Sequence, residues 1–374
     1  MAKRLLVTSA GTGPSNNLIR SLRAGHPSVT IIGGHDDPFI LKNSAADRRY
    51  RVPSAGPAWA RALRRIAREE AVDLVIPATD ADTLALSRMR TGLARYLFLP
   101  RPSLVELCAD KYRLAGRLRA LGLPAPATAQ VRSLRDVDAI FRRLARGRGA
   151  PLWCRVRRGA GSRGAIPVAT AAQARSWIAY WRDMRDVPVT AFTLSEYLPG
   201  RDLGCQSVWK DGVQLLVKTY ERLSYLTSGT QAAEISSVPA LTKTVREPEI
   251  AALCARVIRA LDPRASGVFG VDLKQDAAGV ARVTEINAGR FSSTTNLLDL
   301  TGKHNMTAVY LQLARGEAVD LREEYEGTEY HYMLRDIDAV PRVFHADEFF
   351  DGVEDARGRG ERNAATDTER SLTP

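Results

Sequence analysis

Short apolar runs alternate with helical stretches from residue 3 to residue 89, and this alternation limits the fold more than any other feature of the chain. Residues 3-KRLLVTS-9 read as a buried strand, followed by the turn AGTGPSNN and the helical stretch 17-NLIRSLRAG-25. A second strand follows at 28-SVTIIGG-34, a helix at 57–70, and a third strand at 72-VDLVIPA-78. Thr79 or Asp80 can cap the next helix, which runs to about Met89. Strands that alternate with helices predict a parallel sheet with helices on its faces. This unit ends near Pro100–Pro102.

Beyond it the pattern changes. The segment 104-LVELCADKYRLAGRLRALGLPAP-126 is strongly helical and ends at Gly122 and Pro124. Two apolar runs, 150-APLWCRV-156 and 165-AIPVA-169, bracket a glycine loop and predict a hairpin. A helix is expected at 171–182 and strands at 189–200, 204–209 and 213–219, the last two joined by Lys210-Asp211-Gly212. A helix at 247–261 precedes a second hairpin, 267-GVFGVDLKQD-276 with 280-VARVTEIN-287, turning at Ala277-Ala278-Gly279. Residues 330-YHYMLRDIDAVPRVFHADEFFDG-352 read as a small strand–loop–helix element. The tail from Asp355 is poor in apolar residues and reads as disordered.

Composition excludes some function classes. No run approaches the roughly 18–20 apolar residues of a membrane span, and the apolar stretch at the N-terminus is too short for a signal peptide. Cys108, Cys154, Cys205 and Cys254 form no zinc or redox spacing, which favours a reduced, cytoplasmic setting. The net charge is +12, but the arginines are spread along the chain without a block or an aromatic platform. That distribution disfavours nucleic acid and suits an anionic small molecule. Lysine occurs only at 3, 42, 111, 210, 218, 243, 274 and 303.

Two clusters carry chemistry. In 155-RVRRGAGSRGA-165, Gly159, Gly161 and Gly164 stand beside four arginines. Such a loop can offer backbone N–H groups to phosphate, with Arg155, Arg157, Arg158 or Arg163 neutralising charge. It lacks the Lys-Ser or Lys-Thr of a Walker-type loop. On the second hairpin, Glu285 and Asn287 are two residues apart and share a sheet face. The turn brings Asp272 opposite them. Two carboxylates and an amide oxygen suit Mg²⁺ or Mn²⁺, which fills its shell with phosphates. A solvent-facing polar hairpin explains those three residues equally well when they are taken alone. A third loop, 10-AGTGPSN-16 with Asp36 and Asp37 beyond, superficially resembles a dinucleotide site, but Asn16 replaces its last glycine.

Taken in order, 109-ADKYRL-114, 155-RVRRGAGSRG-164, 195-SEYLPGRD-202 and 270-GVDLK-274 with 284-TEINAGRF-291 resemble the ATP-grasp superfamily. The likeness points especially to its carbamoyl-phosphate-synthase large-subunit-like branch, which includes stand-alone amide ligases. It covers about residues 1–318 and implies an α/β chain that is α+β in its ATP-grasp part. A Rossmann-like pre-ATP-grasp domain would span 1–105 and a two-lobed ATP-grasp domain 106–318, with a lid lobe at about 124–195. A small extension at 319–354 and a tail at 355–374 complete the division.

The resemblance also implies residue roles. Lys111 and Arg155 would contact ATP phosphates, and Ser162 within Gly159–Gly164 would belong to the covering loop. Glu196 and Leu198 would meet the adenine, and Asp202 the ribose. Asp272, Glu285 and Asn287 would bind Mg²⁺, and Arg290 would stabilise the transferring phosphoryl group. This chain departs in two places. Arg155-Val156 replaces the usual Lys-Pro, and Asn287-Ala288-Gly289-Arg290 is one residue longer than the usual Asn-Pro-Arg.

The implied reaction is an ATP-dependent carboxylate–amine ligation through an acyl phosphate, releasing ADP and phosphate. A non-catalytic ATP-binding regulator, or a phosphotransferase or carboxylase using the same site, are the alternatives. Expected partners are small-molecule carboxylates and amines, with no membrane; a homodimer stays open. Lys218, Glu221 and Arg222 in 218-KTYERLSYLTSGT-230, and Ser292, Ser293 and Asn296, are the substrate candidates.

Overall fold

The computed structural model describes residues 3–89, 92–145, 150–159, 161–226, 238–336 and 339–348. The tail read as disordered, the last residues of the 319–354 extension and the end of the 218–230 segment lie outside the described residues.

The first unit has the expected alternation: β1 Arg4–Thr8, α1 Gly13–Gly25, β2 Thr30–His35, α2 Pro38–Lys42, β3 Arg48–Arg51, α3 Gly56–Glu69, β4 Leu74–Ile76 and α4 Asp80–Arg88. Its sheet has the order β3-β2-β1-β4, with every pairing parallel. The apolar runs do not disclose β3, because RRYR is an edge strand of mostly exposed, charged residues. α1 begins at Gly13, earlier than its apolar pattern, because the Thr12 hydroxyl accepts from the Ser15 N–H. Thr79 caps α4 by accepting from Asp82 N–H, which leaves Asp80 as the first helical residue.

The stretch expected as one helix is two, α5 Pro102–Cys108 and α6 Lys111–Ala120. The break falls at Asp110, whose carboxylate accepts from Arg113 N–H at 3.2 Å and caps α6. Next come β5 Thr128–Gln130, α7 Val137–Leu144, β6 Leu152–Val156, β7 Ile166–Val168, α8 Ala171–Arg185 and β8 Phe192–Glu196. They form an antiparallel sheet in the order β5-β8-β6-β7, and β6 and β7 are the two arms of the glycine-loop hairpin. Its own core joins Val137 and Ile140 of α7, Ile178 of α8, and Leu152, Cys154, Phe192 and Leu194.

The largest sheet is built from β9 Asp202–Lys210, β10 Val213–Tyr225, β11 Pro239–Thr244, then after α9 Pro248–Leu261 from β12 Gly267–Gln275 and β13 Ala281–Ala288. Helices α10 Thr295–Thr301 and α11 Met306–Ala314 follow, and then β14 Glu324–Tyr325, β15 His331–Leu334 and β16 Arg342–His345. The order is β13-β12-β9-β10-β11-β15-β16, with β14 alongside β10. The extension thus adds strands, where a strand–loop–helix element was expected; its described end is a single 3₁₀ turn, Ala346–Glu348.

One core packs α5, α6 and α9 on this sheet through Leu104, Leu118 and Ile258 against Trp209, Phe269 and Val271. Another joins Leu5, Ile19 and Ile31 of the first unit to Val208, Leu216 and Val268 of the large sheet. Side chains of this size contribute roughly 1.5–3 kcal/mol each when buried, so these units are firmly held. All four cysteines are buried and unpaired. Among the described residues, no helix is long and apolar enough to cross a membrane.

Candidate active site

The antiparallel register of β12 and β13 sets Asp272 directly opposite Glu285 and Gly270 opposite Asn287. Asn287 Nδ2 donates to Asp272 Oδ2 at 3.2 Å, so the three oxygen-bearing side chains converge as the spacing predicts. Glu285 Oε1 lies 3.3 Å from Lys111 Nζ, and that ammonium also donates to the Gly159 carbonyl at 2.8 Å. One lysine at the start of α6 therefore joins the glycine loop to the oxygen cluster.

The loop is built from backbone conformations that few residues tolerate. Gly159, Gly161 and Gly164 have φ of 105°, 77° and 64°, and Ser162 between them has 51°. Its arginines divide their work. Arg157 and Arg158 both turn to the buried Asp110 carboxylate; Arg157 Nε reaches Oδ1 and Oδ2 at 3.1 Å, and Arg158 Nε reaches Oδ2 at 3.1 Å. Burial opposes ionisation of Asp110, yet the bonds from Arg157 outweigh it and hold the carboxyl below its ordinary value. Arg163 lies over the Trp181 ring, 6.0 Å from its centroid.

Arg155 alone among the four points to the oxygen cluster. It donates to the Thr284 carbonyl at 3.0 Å, and burial holds its guanidinium below the ordinary value although Glu285 and Asp272 work against that. Its Nε is buried with no hydrogen-bond partner among the described residues.

Asp110 thus anchors the base of the loop. Replacing it by asparagine leaves two guanidiniums without their counter-charge. Both stay partly exposed, so the expected loss is at the lower end for a broken buried pair, about 3 kcal/mol. Urea unfolding measures it; a loss no larger than about 0.5 kcal/mol, as for an ordinary surface change, would remove the anchoring role.

Arg290 sits where β13 has ended. Gly289, at φ 91°, donates its N–H to the Val268 carbonyl at 2.7 Å, and a Cβ there would come within 2.9 Å of Thr83 Cγ2. Only glycine fits this approach, and it turns Arg290 toward the first unit. The guanidinium binds both oxygens of Asp80, Nη2 to Oδ2 at 3.0 Å, and donates to Asn287 Oδ1 at 2.6 Å. Burial works against the Arg290 charge, but Asp80 holds it above its ordinary value. The next residue, Phe291, packs edge-on against Tyr310 with centroids 5.1 Å apart, and the Tyr310 hydroxyl donates to the Phe98 carbonyl at 2.6 Å. Asp80 was readable from sequence only as a helix start; its role here depends on the docking of two units.

Other candidates are distributed differently. Asp202 and Asp272 are both bound by Arg222, at 2.7 Å from Nη1 to Asp202 Oδ1 and through Nη2 to Asp272. Arg222 is thus a brace between two expected site carboxylates and not an open clamp for substrate. Glu221 pairs with Arg201 at 2.8 and 2.9 Å. Lys218 is buried away from the cluster, donating to the carbonyls of Leu298 at 2.7 Å and His304 at 2.5 Å and pairing with Glu326 at 3.1 Å. Glu196 Oε2 accepts from Ala127 N–H at 3.1 Å at the end of β8, and Leu198 is buried. Ser292 N–H donates to Gln206 Oε1 at 2.8 Å, and its hydroxyl meets Thr294 at 2.9 Å. The Ser293 carbonyl accepts from Asn17 and from Arg335, each at 2.7 Å.

The donor set fits a hard divalent cation beside phosphate. Asp272, Glu285 and Asn287 offer only oxygen, and such an ion takes few protein ligands when phosphates complete its shell. Among the described residues no three of His, Cys, Asp and Glu gather at one point, so an all-protein metal cage is not what this cluster makes. Arg155 Nε has no partner among the described residues, and the space beside Gly159 and Gly161 is open, both of which suit an anionic ligand.

No protein-family model and no curated protein matches the chain in sequence. Solved structures do match. The biotin carboxylase domain dimer of *Hydrogenobacter thermophilus* 2-oxoglutarate carboxylase, with MgADP, ADP and bicarbonate, superposes with a TM-score of 0.67 at 14% identity, over 89% of this chain and 74% of that one. L-amino acid ligase from *Bacillus licheniformis* gives 0.65 at 14% identity over 88% and 78%. N5-carboxyaminoimidazole synthetase from *Staphylococcus aureus*, complexed with ADP, gives 0.66 at 12% identity over 89% and 83%. The chain therefore shares the fold of these carboxylase, ligase and synthetase structures.

Proposed function

We propose that this protein is an ATP-dependent ligase that joins a carboxylate to an amine through an acyl phosphate. The observation that carries the reading is the convergence of Lys111, Arg155, Asp272, Glu285, Asn287 and Arg290 from three separate parts of the chain. The resemblance to the ATP-grasp motifs and the fold likeness to carboxylases and an amino acid ligase support it.

In this reading ATP is a substrate. Lys111, Arg155 and the N–H groups of the 159–164 loop bind its phosphates, Glu196 and Leu198 lie at the adenine, and Asp202 at the ribose. Asp272, Glu285 and Asn287 hold Mg²⁺, which neutralises phosphate charge when bound. A carboxylate oxygen of the acid substrate attacks the γ-phosphorus, and the bond to the ADP oxygen breaks. The amine then attacks the acyl carbon, the carbon–oxygen bond to phosphate breaks, and the amine proton leaves to solvent. Arg290, held by Asp80 and Asn287, faces the transferring phosphoryl group with a fixed charge that needs no reorganisation. The glycine loop excludes water, protecting the acyl phosphate from hydrolysis.

The test supplies Mg²⁺-ATP, a panel of carboxylic acids and hydroxylamine as a generic nucleophile, reading ADP, AMP and hydroxamate together. ADP with hydroxamate from one acid is the expected result. AMP in place of ADP would overturn the acyl-phosphate route. ATP binding without turnover across the panel would favour a regulatory protein.

A further inference from the structure

Arg20 and Arg335 lie outside the cluster described above, and among the described residues neither has an acidic partner. Arg20 is on α1, and Arg335 immediately follows β15 in the C-terminal extension. Arg335 donates to the carbonyls of Pro239 at 3.0 Å and Ser293 at 2.7 Å, and its Nη2 lies 3.8 Å from Met333 Sδ. Arg20 makes one long contact, 3.5 Å to Asn17 Oδ1. Asn17 in turn donates to the same Ser293 carbonyl that Arg335 uses, so the two guanidiniums converge on one spot. The partly buried guanidiniums of Arg201, Arg222 and Arg290, by contrast, each face a carboxylate.

Like charges gathered where both are partly desolvated oppose folding unless something offsets them. Burial depresses both guanidiniums, and for Arg335 the neighbouring Arg20 charge adds to it, bringing it to about 10. The wall is polar as well. α1 turns Asn17 and Ser21 inward against α10, and on α10 the fully buried Asn296 has no partner among the described residues for its Oδ1 or its Nδ2. Neutral carbonyls fix the arginines in place and leave their charge uncompensated.

We propose that Arg20 and Arg335 form a clamp for a substrate carboxylate other than the one being activated. Planar guanidiniums bind carboxylates in paired hydrogen bonds, which gives both affinity and orientation. Ser293, which anchors the clamp, is three residues beyond Arg290. Three residues span at most about 11 Å of chain, so a small molecule with two functional ends can reach from one site to the other. The proposal rests on the ligase reading for what the carboxylate belongs to: a dicarboxylic acid substrate, or an amino acid supplying the amine. It also gives the extension a task, since Arg335 is contributed by the strands that lengthen the sheet past β11.

Isothermal titration calorimetry without nucleotide tests the clamp directly, with glutarate and L-alanine as probes. The wild-type protein is expected to bind at least one of them saturably. Arg20→Gln, which gives up only the long Asn17 contact, is expected to weaken that binding about 10- to 100-fold, the value of one charge-assisted hydrogen bond. Arg335→Gln should do the same and Arg335→Lys should recover part of the loss. Binding of a fluorescent ATP analogue should stay unchanged in Arg20→Gln, which separates the clamp from the nucleotide site. Glutarate binding alone assigns the clamp to the acid substrate, and alanine binding alone to the amine. Wild-type affinity in Arg20→Gln, or no binding of either probe to the wild type, would overturn the clamp. A protein that forms no ADP but shows arginine-dependent binding would retain it and lose only the ligase reading.

Discussion

Replacing Glu285 by glutamine is expected to lower ADP formation by about 10²- to 10³-fold, the scale on which removing one preorganised electrostatic contact acts, while leaving the fold intact. Glutamine keeps the volume and one carbonyl oxygen. It removes the negative charge that faces Lys111 at 3.3 Å and stands opposite Asp272. A cation held by one carboxylate and two neutral oxygens neutralises phosphate less well. Stability should change little, because glutamine keeps the volume and a carbonyl oxygen to face Lys111. Lys111 also keeps its bond to the Gly159 carbonyl. Steady-state ADP release and a thermal melt, run side by side, check both halves. Turnover equal to wild type would remove Glu285 from the metal-binding role.

The second large effect is expected at Asp80, a positioning residue that acts through Arg290. Asp80→Asn leaves one acceptor where the guanidinium now uses two. Arg290 then keeps that one neutral acceptor, Asn287 Oδ1 and the Phe291 carbonyl but loses its opposing charge, and can swing away from the transferring group. A misplacement of about 1 Å can cost 10²-fold in rate, so kcat should fall by about that factor. The KM for ATP should hold, because Asp80 does not belong to the phosphate-binding set. Asp80→Glu should restore part of the rate. A rise in KM with kcat untouched would assign Asp80 to substrate binding instead, and the Arg290 argument would fail.

What could be read in advance depended on whether the signal was local. The β12–β13 hairpin was legible because alternation and a glycine turn fix its register within about twenty residues, and register alone brings Asp272 to Glu285 and Asn287. The split of α5 from α6 was hidden by continuous apolar periodicity. Asp110 ends one helix and starts the next, and its arginine partners come from a loop 47 and 48 residues away. The partners of Arg222 were hidden for a similar reason. It reaches Asp272 only because β9 lies between β10 and β12 in the sheet, and strand order leaves no mark in the periodicity of any one strand. Asp80 and Arg290 are 210 residues apart and meet across a docked interface, so no short motif could join them. The extension looked helical in part because its strands are short; their partner, β11, supplies the ladder that stabilises them.

The braces around the oxygen cluster have a bearing on how any ligand enters. Lys111, Arg155, Arg222 and Arg290 face Asp80, Asp202, Asp272 and Glu285, so cations and anions already balance before a ligand arrives. On the proposed reading, an incoming polyanion with its cation would be received by exchange: Lys111 would trade Glu285 for phosphate and Asp272 would trade Arg222 for metal, leaving that guanidinium at hand for the oxygens that follow. Such a site has little net field to draw ions from a distance, and its selectivity lies in whether a ligand brings both signs of charge at the right spacing.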